Sequence, residues 1–259
     1  MSPPLAPSDR SVIERTLSIL STFDPGNLTL TVSQISHRSG VPVATVYRIV
    51  SKLVSWGALE RAEGNSYTIG PRLWEIALLA PRHSALRDAA VPHMLELRAM
   101  TRSAVLLSVR EGGEGICLER ISGGVTPFHR PCTGGRRFPL HATARGHVLL
   151  AAADPTVRNA LCAGELRACT RRTVTDPSVL RDLVERAGRQ GYAVSAGEFL
   201  EGVVEVAAPV HDGDGDAVGA LGLFTDDRGN DHVRQVVGPL LRTARRISGR
   251  LAALARIAG

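Results

Sequence analysis

The chain has 259 residues, 44% hydrophobic and 22% charged, and 31 Lys plus Arg against 25 Asp plus Glu give a formal net charge of +6. That composition excludes disordered, collagen-like and fibrous classes and leaves room for one large or two small globular domains. No apolar run approaches the roughly 18 residues that span a bilayer, and the start Met1-Ser2-Pro3-Pro4-Leu5-Ala6-Pro7 lacks the basic-then-apolar order of a signal peptide. The expectation is a cytoplasmic protein with no membrane partner, whose four separated cysteines, Cys117, Cys132, Cys162 and Cys169, are reduced thiols.

In chain order, residues 1–8 read as a disordered tail. Val12, Leu17, Ile19, Leu20 and Phe23 at helical spacing, with Glu14 and Arg15 opposite, predict a helix over 9–22 that stops at Asp24-Pro25-Gly26-Asn27. A short apolar link, 28–31, leads to a second helix carrying Val32, Ile35 and Ser39. Gly40 ends it where a positive φ is wanted. Pro42 suits the first position of a third helix, 43–56, with Val46, Ile49, Val50 and Leu53 inward. Extended runs at 58–62 and 66–69 flank the turn Glu63-Gly64-Asn65. Helix, helix, glycine turn, helix, hairpin is the order of a winged helix-turn-helix, assigned to 9–70.

Residues 71–102 read as linker helices, 72–79 and 85–102, interrupted at Pro81. Beyond them the spacing predicts strands at 105–109 and 115–121, a Gly/Pro-rich region at 122–139, and helices at 142–153 and 155–166. A further helix, 177–190, has Asp176 as N-cap and Pro177 at its first position. Strands at 192–195, 203–211 and 217–225 and a final helix over 231–257 complete an α+β sheet domain, 103–259.

The third helix carries the strongest chemical signal. Val43, Ala44, Thr45, Tyr47 and Arg48 face outward near its N-terminal end, as a helix entering the DNA major groove requires. Hydroxyls and a forked guanidinium suit phosphates and base edges, and small apolar groups suit a thymine methyl. From Pro25 through Leu59 there is no carboxylate, whereas Arg38, Arg48 and Lys52, the chain's only lysine, supply cations. A phosphate-facing surface needs that local balance. Arg61 in the wing is a further candidate, beside Glu60 and Glu63. The competing reading is a winged helix that contacts another protein.

Gly134-Gly135-Arg136-Arg137-Phe138-Pro139-Leu140-His141-Ala142-Thr143-Ala144-Arg145 is the second informative stretch. Glycines feeding an extended run that turns into a helix offer backbone N–H groups to a small carboxylate; the alternative is a junction that serves only the core. His141 lacks partners at triad spacing and reads as structural or capping. Asp212-Gly213-Asp214-Gly215-Asp216 begins like a calcium loop, but Ala217 and Leu223 stand at its sixth and twelfth positions, so it reads as a hairpin turn. Neither metal nor cofactor is expected. No nucleophile elbow, Walker A or dinucleotide fingerprint supports an enzyme.

Across residues 9–248 the chain resembles the IclR-type transcriptional regulators. The resemblance rests on Arg10 to Leu17, on Gly40-Val41-Pro42-Val43-Ala44-Thr45-Val46-Tyr47-Arg48, and on Tyr67-Thr68-Ile69-Gly70-Pro71-Arg72-Leu73. In the second domain it rests on Pro139 to Ala144, Thr173-Val174-Thr175-Asp176-Pro177, Gly191-Tyr192-Ala193-Val194 and the run from Gly202 to Pro209. It implies an N-terminal winged helix-turn-helix, a linker helix and a C-terminal GAF-like α/β effector-binding domain. It further implies a homodimer or homotetramer on a palindromic double-stranded DNA operator, with repression ahead of activation, controlled by a small organic acid or an aromatic or polar metabolite. Carried over, the effector site comprises Pro127, Arg130, Phe138, Ala144, Arg145, Ser195, Val203 and Glu205. Arg145 and Glu205 depart from the family pattern, and either pair with each other or bind opposite charges of an effector.

Overall fold

The computed structural model describes residues 11–24, 26–122, 135–226 and 230–258. Pro127 and Arg130 lie outside them. The chain divides into two compact units, Met1–Pro81 and Arg82–Gly259.

In the first unit, α1 (Val12–Leu20) opens with a capping box in which the Ser11 hydroxyl accepts from the Glu14 N–H and the Glu14 carboxylate accepts from the Ser11 N–H. Thr31 and Gln34 repeat the device at α2 (Val32–Ser39). Gly40 closes α2 at φ 68°, a left-handed conformation that costs a residue without Cβ little. The third helix, α3 (Val43–Trp56), has Pro42 as its N-cap, one position earlier than the sequence suggested. The expected link over 28–31 contains strand β1 (Thr29–Thr31), which pairs antiparallel with β3 (Ser66–Ile69); β2 (Leu59–Ala62) takes the other side of β3. A segment this short carries no period of its own and becomes a strand through its partner. Ile19, Leu30, Ile35, Val46, Ile49, Val50 and Leu59 share one core. The inward face assigned to α1 needs correction, because Val12 is 65% and Leu17 57% exposed and Ile19 alone of its residues is fully buried. Helix α4 (Pro71–Ala77) follows.

The second unit begins within α5 (Pro81–Thr101), which starts earlier than expected and carries Pro92 within it. Six antiparallel strands form its sheet in the order β6-β5-β4-β9-β8-β7: β4 (Ala104–Glu111), β5 (Glu114–Ile121), β6 (Arg137–Pro139), β7 (Ala193–Ala196), β8 (Val203–His211) and β9 (Ala217–Asp226). The Asp212 carboxylate accepts from the Asp214 and Asp216 N–H groups in the β8–β9 turn, as the hairpin reading required. Side chains alternate across the strands. Val105, Leu107, Val206, Ala208, Leu221 and Leu223 point to the face covered by α5 and by α9 (Asn230–Ala258), where Leu86, Met94, Leu97, Leu240 and Ile247 meet them. The opposite face is covered by α6 (Ala144–Ala151) and α8 (Pro177–Gln190), with α7 (Pro155–Ala163) beside them. Helix α6 starts two residues later than expected because Leu140–Ala142 form a 3-10 turn, after which Thr143 caps the helix by accepting from Gly146 N–H.

Candidate functional site

On the first unit, the i, i+4 spacing places Ala44, Arg48 and Lys52 in one row along the outer side of α3. All three are exposed, as are Val43 and Tyr47, whereas Thr45 is half-buried. Val46, Ile49 and Val50 hold the opposite side of the helix in the core. The row is thus presented by a packed, capped element. Arg38 differs from these cations: its Nη2 meets Asp24 at 2.7 Å and its Nε donates to the Thr22 carbonyl at 3.2 Å. It ties α2 to the turn after α1 and neutralises the carboxylate bordering the acid-free window. Arg61 is exposed on β2, opposite Tyr67 of β3.

On the second unit, strand alternation and register gather Ser195, Glu205 and Phe224 in one row across β7, β8 and β9, on the face beneath α6. Ser108 lies farther along, where the β4–β5 ladder shifts register between Leu107 and Ser108, an irregularity that re-aims a strand side chain. From the first turn of α6, Arg145 crosses β9. Its Nε forms an ion pair with Glu205 Oε1 and its Nη1 donates to Ser108 Oγ at 2.7 Å. The Arg145 N–H, at the positive end of α6, also points to Glu205 Oε1 at 3.4 Å. The guanidinium carbon stands 4.3 Å from the centre of the Phe138 ring and 5.3 Å from that of Phe224. These rings supply cation–π attraction without competing for its N–H donors.

The space for this arrangement is made by glycine. A Cβ on Gly222 would stand 2.7 Å from Arg145 Cδ and 2.9 Å from Cγ, so the side chain lies where only hydrogen fits. Gly115 makes the same room beneath Phe138. The arginine side chain is 1% and the glutamate side chain 4% exposed. Beside them Ser195, Phe199, Leu200, Val203, Glu205 and Phe224 line an open pocket with a free volume of about 10 Å³, room for one water at most.

A neighbouring acid, two histidines and a thiol complete the electrostatics. Burial pushes the Glu198 carboxyl up to about 7, with the charge of Glu205 adding to the effect, and Glu198 Oε2 is buried with no hydrogen-bond partner among the described residues. Burial lowers His147 to about 4, and its Nε2 pairs with the His141 carbonyl at 2.7 Å. The ring of His141 pairs in turn with the Arg167 carbonyl at 2.9 Å. Both histidines therefore hold backbone in place. The Cys117 thiol, close to Arg145, is pushed up by burial and stays protonated.

The structure brings Phe138, Arg145, Ser195, Val203 and Glu205 to one place and buries Ala144 against the adjoining core. Sequence reasoning missed Ser108, Phe224 and Gly222. Ser108 carried a signal, since it is the one polar residue within an otherwise apolar strand, Val105 to Val109.

Comparisons with known proteins agree with both halves. Residues 80–249 match the C-terminal domain of the bacterial transcriptional regulator IclR, and residues 12–63 match the IclR helix-turn-helix domain. The chain is 30% identical to the HTH-type transcriptional regulator XynR of Escherichia coli strain K12, over 82% of this chain and 85% of that protein. It is 27% identical to the HTH-type transcriptional repressor AllR of the same strain, over 95% and 92%. A crystal structure of an IclR homolog complexed with 4-hydroxybenzoate, from Microbacterium hydrocarbonoxydans, superposes with a TM-score of 0.87 at 33% identity, covering 94% of this chain and all of that one. With a helix-turn-helix unit, a sheet unit built around a polar buried cluster, and family matches to each, the chain belongs to the IclR family of bacterial transcriptional regulators.

Proposed function

We propose that the protein is a ligand-responsive repressor that binds a palindromic operator as a homodimer or homotetramer in the cytoplasm. The observation that carries this reading is the exposed, carboxylate-free row on α3. Val43, Ala44, Tyr47, Arg48 and Lys52 read the major groove, Thr45 and Arg61 contact backbone, and Arg38 fixes the helix pair through Asp24. Repression is favoured by the similarity to AllR, and a small organic effector by the relative complexed with 4-hydroxybenzoate. Such a ligand changes DNA affinity only through unequal binding to the competent and incompetent arrangements. Residues 71–102, which join the units, are where we place that transmission.

The test is selection of bound fragments from the source genome, followed by gel shift of the selected operator with and without candidate metabolites. A symmetric site whose retardation changes with one metabolite is the expected result. The exposed apolar side chains of α1 and α4, among them Leu17, Trp74 and Ile76, favour a second reading, a winged helix used for protein contact. Absence of retardation on any DNA at low salt and micromolar protein selects that reading instead.

A further inference from the structure

The place where an effector is expected is already taken by a carboxylate. Glu205 Oε1 accepts from Arg145 Nε and lies 3.4 Å from the Arg145 backbone N–H in the first turn of α6. The guanidinium is oriented on its other side by Ser108 and held between two aromatic rings. A seat with this equipment is an anion site, built of a forked cation, a helix N-terminus and flat apolar walls. We propose that Glu205 is a built-in stand-in for the effector, and that a compact aromatic monocarboxylate acts on this protein by displacing Glu205 from Arg145. This rests on the reading of the second unit as a sensor and adds what that sensor takes and how it opens.

Three observations carry the proposal. The free volume of about 10 Å³ cannot accept an organic molecule beside the ion pair, so a ligand must exchange with one of its members. Arg145 is the fixed member, lying over Gly222 and held by Ser108, Phe138 and Phe224. Glu205 is the member that interacts with a second acid, since its negative charge helps to raise the partly buried carboxyl of Glu198. Exchange also keeps the buried cation paired throughout. Emptying the seat would leave an uncompensated charge; exchange brings a second carboxylate into the site, and a proton taken up with it keeps the net charge there unchanged. Affinity then comes from the rest of the ligand. Phe138, Phe224, Leu106 and Val203 border the seat, which favours a flat aromatic body over an aliphatic or highly polar one.

The experiment is calorimetric titration of the full chain with benzoate, with benzamide as the neutral control. Wild type, Glu205→Ala and Glu205→Gln are compared; the glutamine variant keeps the side-chain volume and an amide oxygen that accepts from the guanidinium, so the comparison does not rest on the alanine variant alone. Removing the competing carboxylate is expected to tighten benzoate binding by about tenfold or more over wild type. No such gain is expected for benzamide, and the gain should vanish in Arg145→Leu/Glu205→Ala. Benzoate should also raise the melting temperature of Glu205→Ala by about 5 °C at a concentration that leaves wild type within about 1 °C. A folded Glu205 variant that binds benzoate no more tightly than wild type overturns the proposal, as does an equal gain for benzamide. If wild type binds benzoate tightly and the variants do not change this, displacement is wrong but the sensor reading stands. That reading fails separately, when the selected operator responds to no metabolite.

Discussion

At the scale of single residues, Arg48 is the most informative position on α3. Exposed at the centre of the outer row, it is free to fork onto a guanine or to meet a phosphate. Arg48→Ala is expected to cost about 1–3 kcal/mol of operator binding and to relax the site at one base pair if it reads a base. If it meets a phosphate, the loss is uniform across sequences and the slope of affinity against salt falls by about one counterion. Titrations at several salt concentrations distinguish these outcomes; unchanged binding removes Arg48 from the interface. Glu198 offers a test of the buried site without ligand. Its folded pKa of about 7 lies above the ordinary 4.5, so between those values the folded chain keeps a proton that the unfolded chain has lost, and stability falls as pH rises through the window. His147, lowered to about 4 from 6.5, acts in the opposite sense, and stability from it falls as pH drops. Glu198→Gln should therefore gain on wild type between pH 5 and pH 8, measured as the difference in urea midpoint. The candidates Arg145 and Glu205 came from the family resemblance, as two charges standing where this chain departs from its pattern. Their pairing was one of two readings, and the structure pairs them because the sheet brings β8 and α6 face to face. Phe224 and Gly222 were hidden, and the lone polar Ser108 could not be placed, because their role depends on which strand lies next to which.

At the scale of elements, long periodic segments were legible and short ones were not. The pattern of α3, with four apolar positions on one side and a glycine after Trp56, reproduces the observed Val43–Trp56, and α8 matches through its Asp176 cap and Pro177. Strands β1 and β6, three residues each, carry no period and exist only through pairing. The apolar residues of α1 misled in another way. Their spacing is helical, as observed, but periodicity cannot say whether an apolar side chain is covered, and Val12, Ile13 and Leu17 are not. Two glycines give clean tests. A Cβ on Gly40 would meet nothing within 4 Å, so Gly40→Ala should cost the first unit about 1 kcal/mol through backbone strain alone, measured by thermal melting. Gly222→Ala is a steric change, placing a methyl against the Arg145 methylenes, and is expected to cost the second unit about 1–3 kcal/mol.

At the scale of the whole molecule, each unit has its own core, Ile19, Ile35 and Val46 in one and Leu97, Leu107, Leu223 and Ile247 in the other. Ile35→Ala and Leu107→Ala should each cost about 2–5 kcal/mol, and each should lower the unfolding transition of its own unit. A single transition shifted equally by both would contradict two independent cores. The division also explains why net charge was a poor guide. Residues 1–80 hold seven cations and six carboxylates, so most of the +6 lies in the sheet unit. The local arrangement around α3 carries the information that the total does not. That arrangement includes Lys52, the chain's one lysine, standing exposed in the reader row. The molecule therefore carries its own occupancy label. An acylating reagent finds a single side-chain amine, on the surface that DNA would cover, and the yield of that one adduct counts free reader helices without any engineered tag.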